Sequence, residues 1–194
     1  RTWQSGGYRS NRWIRGPIKL PQTVNENLNT KPQAQRQSKR LFALGMGATH
    51  SRQRRLRYLN FYANLIKESD RYLRQILDTL DDLNLTDDTL VIKTSDHGEM
   101  GMAHGGLRQK AFNFYEETLR VPLIYSNPKI YPRRKTSKAL VSHVDFLPTM
   151  ANLFGVPGNA RAKWQGKSYH RQVAGRPGGV QNYIVFTYDD IYMA

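Results

Sequence analysis

The apolar run Leu90-Val91-Ile92 opens directly onto Thr94-Ser95-Asp96-His97-Gly98-Glu99, and no other feature of the chain constrains its fold as tightly. A short apolar run bounded by polar residues predicts a buried strand over Thr89–Lys93. In open α/β sheets, ligands gather beyond the carboxyl ends of the strands, where this strand delivers a carboxylate, an imidazole and a glycine. Asp96 offers a hard oxygen, and His97 a nitrogen ligand or a proton-transfer group. Gly98 is expected to release the turn by taking positive φ without a Cβ clash. Taken alone, the same residues also fit a strand followed by an ordinary polar turn.

The flanking segments predict what the strand packs into. Leu59, Tyr62, Ala63, Ile66, Asp70, Leu73, Ile76, Leu77 and Leu80 recur mostly at spacings of three and four, a helical stripe that is apolar except at Asp70. The helix spans about Arg52 to Leu83, as one element or two. Asp70 is expected on its buried side; there a carboxylate needs a partner, so it is read as a structural acid and not as a metal ligand. Further strands are expected at Val121–Tyr125, Ala139–Ser142 and Asn182–Tyr188. A helix is expected over Asp145–Phe154, with Pro148 tolerated in its first turn and Gly155 closing it. Strands alternating with helices argue for a largely parallel sheet covered by helices.

Charge divides the chain differently. Residues 1–60 carry 13 Lys and Arg against one acid, Glu26, so most of the net charge of +15 lies there. This third has scattered Pro and Gly, a Gln/Asn-rich stretch and no hydrophobic period, which predicts irregular chain over residues 1–50. Arg52-Gln53-Arg54-Arg55 with nearby Trp3, Tyr8 and Trp13 could suggest nucleic-acid binding. No reader motif accompanies the charge, so a solvated basic face, or one that draws anionic substrates, is the preferred reading. With no cysteine, disulfides and thiolate metal sites are excluded within these 194 residues. No apolar run reaches the length of a membrane span.

Downstream of Asp96-His97-Gly98 come His104-Gly105-Gly106, Leu107-Arg108-Gln109-Lys110, Tyr115-Glu116-Glu117, Arg120-Val121-Pro122-Leu123-Ile124 and His143-Val144-Asp145-Phe146-Leu147-Pro148-Thr149. This ordered series, from about Tyr58 to about Pro157, resembles the sulfatase family of the alkaline-phosphatase superfamily. The resemblance implies an α/β chain, part of an alkaline-phosphatase-like three-layer fold. Residues 1–50 would be an irregular basic loop region, and residues 51–194 a partial catalytic domain.

The resemblance also implies a function: metal-dependent hydrolysis of sulfuric esters. Such esters resist attack because anionic oxygens shield the reacting centre, and a divalent cation with fixed positive side chains neutralises them. Asp96 and His97 match the family's metal-ligand pair, with calcium the first expectation and magnesium or manganese the alternatives. Lys110 matches the lysine that contacts the transferred sulfuryl group, where an ammonium acts as a movable point charge. Its alternative is an ordinary surface lysine. His104 is either a donor to the leaving oxygen or sulfate, or a capping loop residue; Arg108 could clamp an anion bidentately. Asp145 is read as a cap or loop brace, and Tyr115, Glu116 and Arg120 as framework. The expected partner is a small sulfate ester or a sulfated glycan.

The family nucleophile, a formylglycine made from the first residue of Cys/Ser-x-Pro-x-Arg, has no counterpart here. There is no cysteine, and Ser126-Asn127-Pro128-Lys129-Ile130 lacks the arginine. Nor is there any Asp in residues 1–60 to supply the family's amino-terminal metal pair. The chain is therefore expected to be an internal piece of a longer protein, inactive by itself and a poor metal binder. Two alternatives stay open: a phosphodiesterase or phosphonate monoester hydrolase of the same superfamily, and a non-catalytic basic protein that binds polyanions.

Overall fold

A computed structural model describes residues 18–158 and 163–186. The described residues form two compact units that interleave in sequence, one from residues 18–85 and 97–123, the other from 86–96, 124–158 and 163–186.

In the first unit, 3-10 turns at Gln22–Asn25 and Leu28–Thr30 precede helices α1 (Gln33–Met46) and α2 (Arg52–Asp82). The short helical turns α3 (Ala103–Gly106) and α4 (Glu116–Leu119) follow in its second segment. Helix α2 is continuous over 31 residues, about 46 Å at 1.5 Å per residue. Ser51 caps it, its hydroxyl accepting from the Arg54 amide at 3.2 Å. Tyr58 and Leu59 are its buried residues. They pack with Val24 and Met102, while Leu28, Met100, Ala103 and Leu107 form a second cluster against Tyr115.

Two expectations fail in this unit. Asp70 is exposed, not buried, as are Ile66, Tyr72, Ile76 and Leu77 on the same helix. The stripe defines which face of α2 is apolar; that face is buried at Tyr58 and Leu59 and is half-buried or exposed beyond them. The expected irregular chain over residues 1–50 also does not hold, because α1 takes up Gln33–Met46. Its buried positions are Gln35 and Ser38, whereas Leu41 and Leu44 are exposed. The Gln35 side-chain oxygen accepts from the Tyr115 hydroxyl at 3.3 Å, and the Ser38 hydroxyl donates to the Gln35 carbonyl at 2.9 Å. A helix whose inner face is polar leaves no hydrophobic period. Residues 1–17 lie outside the described residues.

In the second unit, β1 (Val91–Lys93) pairs with β2 (Ile124–Ser126) in antiparallel register, Val91 opposite Ser126 and Lys93 opposite Ile124. Among the described residues this is the whole sheet, so the largely parallel sheet read from the sequence is not found. Ala139–Ser142 and the described part of Asn182–Tyr188 make no ladder. A β-rich composition supplies side chains that suit a strand, but the ladder also requires a neighbouring strand in register. Asn127, buried, ties β2 to the approach of β1: its amide donates to the carbonyls of Asp87 at 2.8 Å and Thr89 at 3.0 Å. Helices α5 (Phe146–Leu153) and α6 (His170–Val173) complete the unit. Asp145 is buried and accepts from the amides of Ser142 at 2.8 Å and Lys167 at 2.7 Å, and from Gln181 at 2.8 Å, as a loop brace does.

Candidate active-site loop

The segment after His97 is built around close backbone contact. The Gly98 amide donates to the Thr118 carbonyl at 2.9 Å, and a Cβ at Gly98 would collide with the Glu117 carbonyl oxygen. Gly98 is not among the residues with positive φ, so the glycine serves close approach and not the left-handed turn expected of it. From there the loop folds back on itself. The Met100 amide donates to the Gln109 carbonyl at 3.0 Å and the Met102 amide to the Leu107 carbonyl at 2.9 Å.

The Glu99 carboxylate fastens this loop. It accepts from the Tyr58 hydroxyl at 2.9 Å, the Gly101 amide at 3.2 Å and the Gln109 amide at 3.0 Å. Met102, His104, Gln109 and Phe112 take positive φ, as do Gly101, Gly105 and Gly106. Each non-glycine residue in that region costs about 1–2 kcal/mol, which the Glu99 contacts and the burial of Met100, Met102 and Leu107 offset. Such a concentration of strain is characteristic of functional loops. Sequence reasoning quoted Glu99 without a role; an acid directly after His-Gly and before a glycine-rich stretch was the available signal.

The loop brings His97 and Lys110 together. His97 Nδ1 lies 2.8 Å from the Gly98 carbonyl, which can only accept, so Nδ1 carries the proton. Nε2 then presents its lone pair, and Lys110 Nζ stands 2.5 Å from it. A backbone carbonyl that fixes one ring nitrogen and leaves the other as a donor is the outer-shell arrangement used by metal-binding imidazoles. His97 thus fits a divalent cation through Nε2, at the position the Lys110 ammonium takes in this structure. Asp96, the last residue of the other unit's first segment, is exposed and has the Ser95 hydroxyl 3.4 Å from Oδ1. The Ser95 carbonyl accepts from His143 Nε2 at 2.8 Å, a support for the Asp96 backbone that sequence reasoning missed. Among the described residues no group of three or more His, Asp or Glu side chains gathers as a metal site. Asp96 and His97 have suitable donors, but as part of a coordination shell only.

The other two candidates are held elsewhere in the first unit. The His104 ring stacks on Tyr115 with centroids 3.7 Å apart and planes 5° from parallel. Its Nδ1 is 2.7 Å from Glu26, and its Nε2 is 3.4 Å from Glu117. Glu26 also pairs with Lys31 at 2.8 Å, and these contacts hold its carboxyl below the usual range, Lys31 first and His104 second. Arg108 is 4% exposed, with its guanidinium 5.5 Å above the Tyr58 ring. Burial lowers its pKa, against the opposing influence of Tyr58 and Glu99.

Solved structures define the class. A 2-O GAG sulfatase matches 90% of this chain at a TM-score of 0.69 and 22% identity, the match taking in 38% of that protein. A protein solved in complex with its substrate D-glucosamine-2-N,6-O-disulfate matches 74% of the chain at a TM-score of 0.59 and 27% identity, over 29% of its own length. The fold is therefore the alkaline-phosphatase-like fold of sulfatases. The Sulfatase family model matches residues 16–156, and the chain belongs to that family. Rat arylsulfatase K is 39% identical over 97 residues, half of this chain; the match spans only 17% of the rat enzyme's length.

Proposed function

We propose that the full-length protein hydrolyses sulfate esters with the help of a divalent cation, and that the loop from His97 to Lys110 belongs to its catalytic site. The observation that carries this reading is the His97–Lys110 contact, a lone-pair nitrogen and an ammonium held on a strained, buried loop. Lys110 would bind the sulfuryl oxygens as a mobile point charge and stabilise charge moving toward the leaving oxygen. Asp96 and His97 would hold the cation, calcium by family resemblance with magnesium or manganese as alternatives, and the cation would supply Lewis-acid polarisation of the ester. His104, with Nδ1 on Glu26 and Nε2 facing Glu117, would serve as a proton donor to the leaving group by exchanging the Glu117 contact for the leaving oxygen. Formylglycine would come from outside these residues, which hold no Cys and no Ser heading Ser-x-Pro-x-Arg.

A sulfated glycan is the proposed substrate class. It is supported by the 2-O GAG sulfatase and by the neighbour solved with a disulfated glucosamine. The test is a substrate panel for the metal-supplemented full-length protein: sulfated glucosamines, an aryl sulfate and an aryl phosphodiester. Sulfate release from the glycan is expected. Phosphodiester cleavage without any sulfate release would refute the reading.

A further inference from the structure

One cavity in the first unit lies outside the His97–Lys110 contact and gathers cations. It is lined by Lys39 and Phe42 of α1, Thr49 and His50 from the α1–α2 connection, Arg55 of α2, and Gly106 and Arg108 of the loop. Lys39, Arg55 and Arg108 bring an ammonium and two guanidinium groups, His50 adds an imidazole N–H, and among the described residues no Asp or Glu lines the cavity. The cavity measures about 50 Å³. That is room for roughly three to five water molecules, at about 10–15 Å³ each. It is the size of one small oxyanion and not of a sugar ring.

Hydrogen bonds to neutral groups hold two of these cations in place. The Lys39 ammonium donates to the Gly105 carbonyl at 2.5 Å. Arg55 donates through Nε to the Thr49 carbonyl at 3.1 Å and through Nη1 to Asn25 at 2.7 Å. All three acceptors are neutral, so the hydrogen bonds position the cations without cancelling their charge. Burial, and then the charge of Arg55, lowers the pKa of Lys39, as expected where like charges crowd. Arg108, the most buried of the set, brings a guanidinium suited to bidentate contact with sulfate or carboxylate.

We infer that this cavity is an anion-binding site for a single sulfate or carboxylate group, formed by Lys39, His50, Arg55 and Arg108 and separate from the Lys110 contact. The sequence placed Arg108 with the reacting ester; the structure places it where it would hold a second anionic group. The inference does not depend on hydrolytic activity, because binding can be read in the 194-residue chain without turnover.

The experiment titrates sodium sulfate into the wild-type chain, with sodium chloride at matched ionic strength as the control. Binding is followed by amide NMR shifts and by calorimetry. Saturable sulfate binding is expected, with the Thr49, His50 and Gly106 amides shifting first. Arg55→Gln and His50→Gln should each weaken it, Arg55→Gln by about ten- to a hundredfold, as loss of a charge-assisted contact implies. Arg55 also anchors Thr49 and Asn25, so the exposed His50 gives the variant least prone to misfolding, and the wild-type shift map requires no variant at all. A second arm compares inorganic sulfate with a monosulfated disaccharide. Tighter disaccharide binding with the same shifted amides identifies a glycan-borne group, and equal affinity identifies a free ion. Shifts that match those of sodium chloride, or sulfate binding that maps away from Thr49 and Gly106, would overturn the inference.

Discussion

Helix α2 and the loop from Gly98 to Phe112 invert the usual relation between regularity and burial. The 31-residue helix is the most regular element, yet beyond Leu59 its apolar residues are half-buried or exposed, Ile76 at 58%. The loop has scarcely any regular hydrogen bonding and a run of left-handed residues, yet Met100, Met102, Ala103 and Leu107 are each at most 2% exposed. The loop is thus the packed centre of its unit, and one carboxylate, Glu99, fastens it to α2 through Tyr58. A loop held in this way can keep His97 and Lys110 in contact with little reorganisation, which is the property a charge-stabilising site requires.

The comparison breaks most readily under paired truncation. Leu107→Ala should cost about 2–5 kcal/mol in chemical denaturation, as a buried Leu truncation does. Ile76→Ala, at the same kind of residue on the regular helix, should change stability by less than about 0.5 kcal/mol. Equal losses would mean that α2 is as well covered as the loop. Glu99→Ala should follow Leu107→Ala closely, at about 2–4 kcal/mol, since several donors lose a charged acceptor at once. Amide exchange from Gly101 to Gln109 should accelerate in the same variant. If the loop amides stay protected, its fastening lies elsewhere.

The smallest effect concerns the edge of the loop. The Glu26 carboxyl titrates below its usual range in the folded chain, because Lys31 and then His104 favour its charged form. A depressed pKa contributes stability above the unfolded pKa, and that stability is lost as pH falls through the folded one. Glu26→Gln should therefore lower the melting temperature slightly at neutral pH, with the gap from wild type closing below about pH 4.5. A gap that persists at low pH would place the effect in packing and not in charge.

What was legible in the sequence follows the same contrast. The period of Leu59, Ile66, Leu73 and Leu80 revealed α2, because an apolar stripe records helical geometry directly. It could not show that Asp70 is exposed, since a stripe carries no information about what covers it. Helix α1 was invisible because Gln35 and Ser38 face inward. The motif order singled out His97 and Lys110, and these do meet. The role of Glu99 was hidden because its acceptor contacts run mostly to backbone amides, which have no residue signature. Spacing alone could not show that Arg108 lines a cavity with Lys39 and Arg55, because those two come from distant helices.

The most direct test of the catalytic reading is Lys110→Ala in the full-length protein, with turnover of a sulfate ester and melting temperature measured on the same preparation. A preorganised contact to transition-state charge predicts a loss of about 10²–10³ in kcat with melting nearly unchanged. Near-full sulfatase activity in that variant would contradict it, and would leave the His97–Lys110 contact as a structural pair.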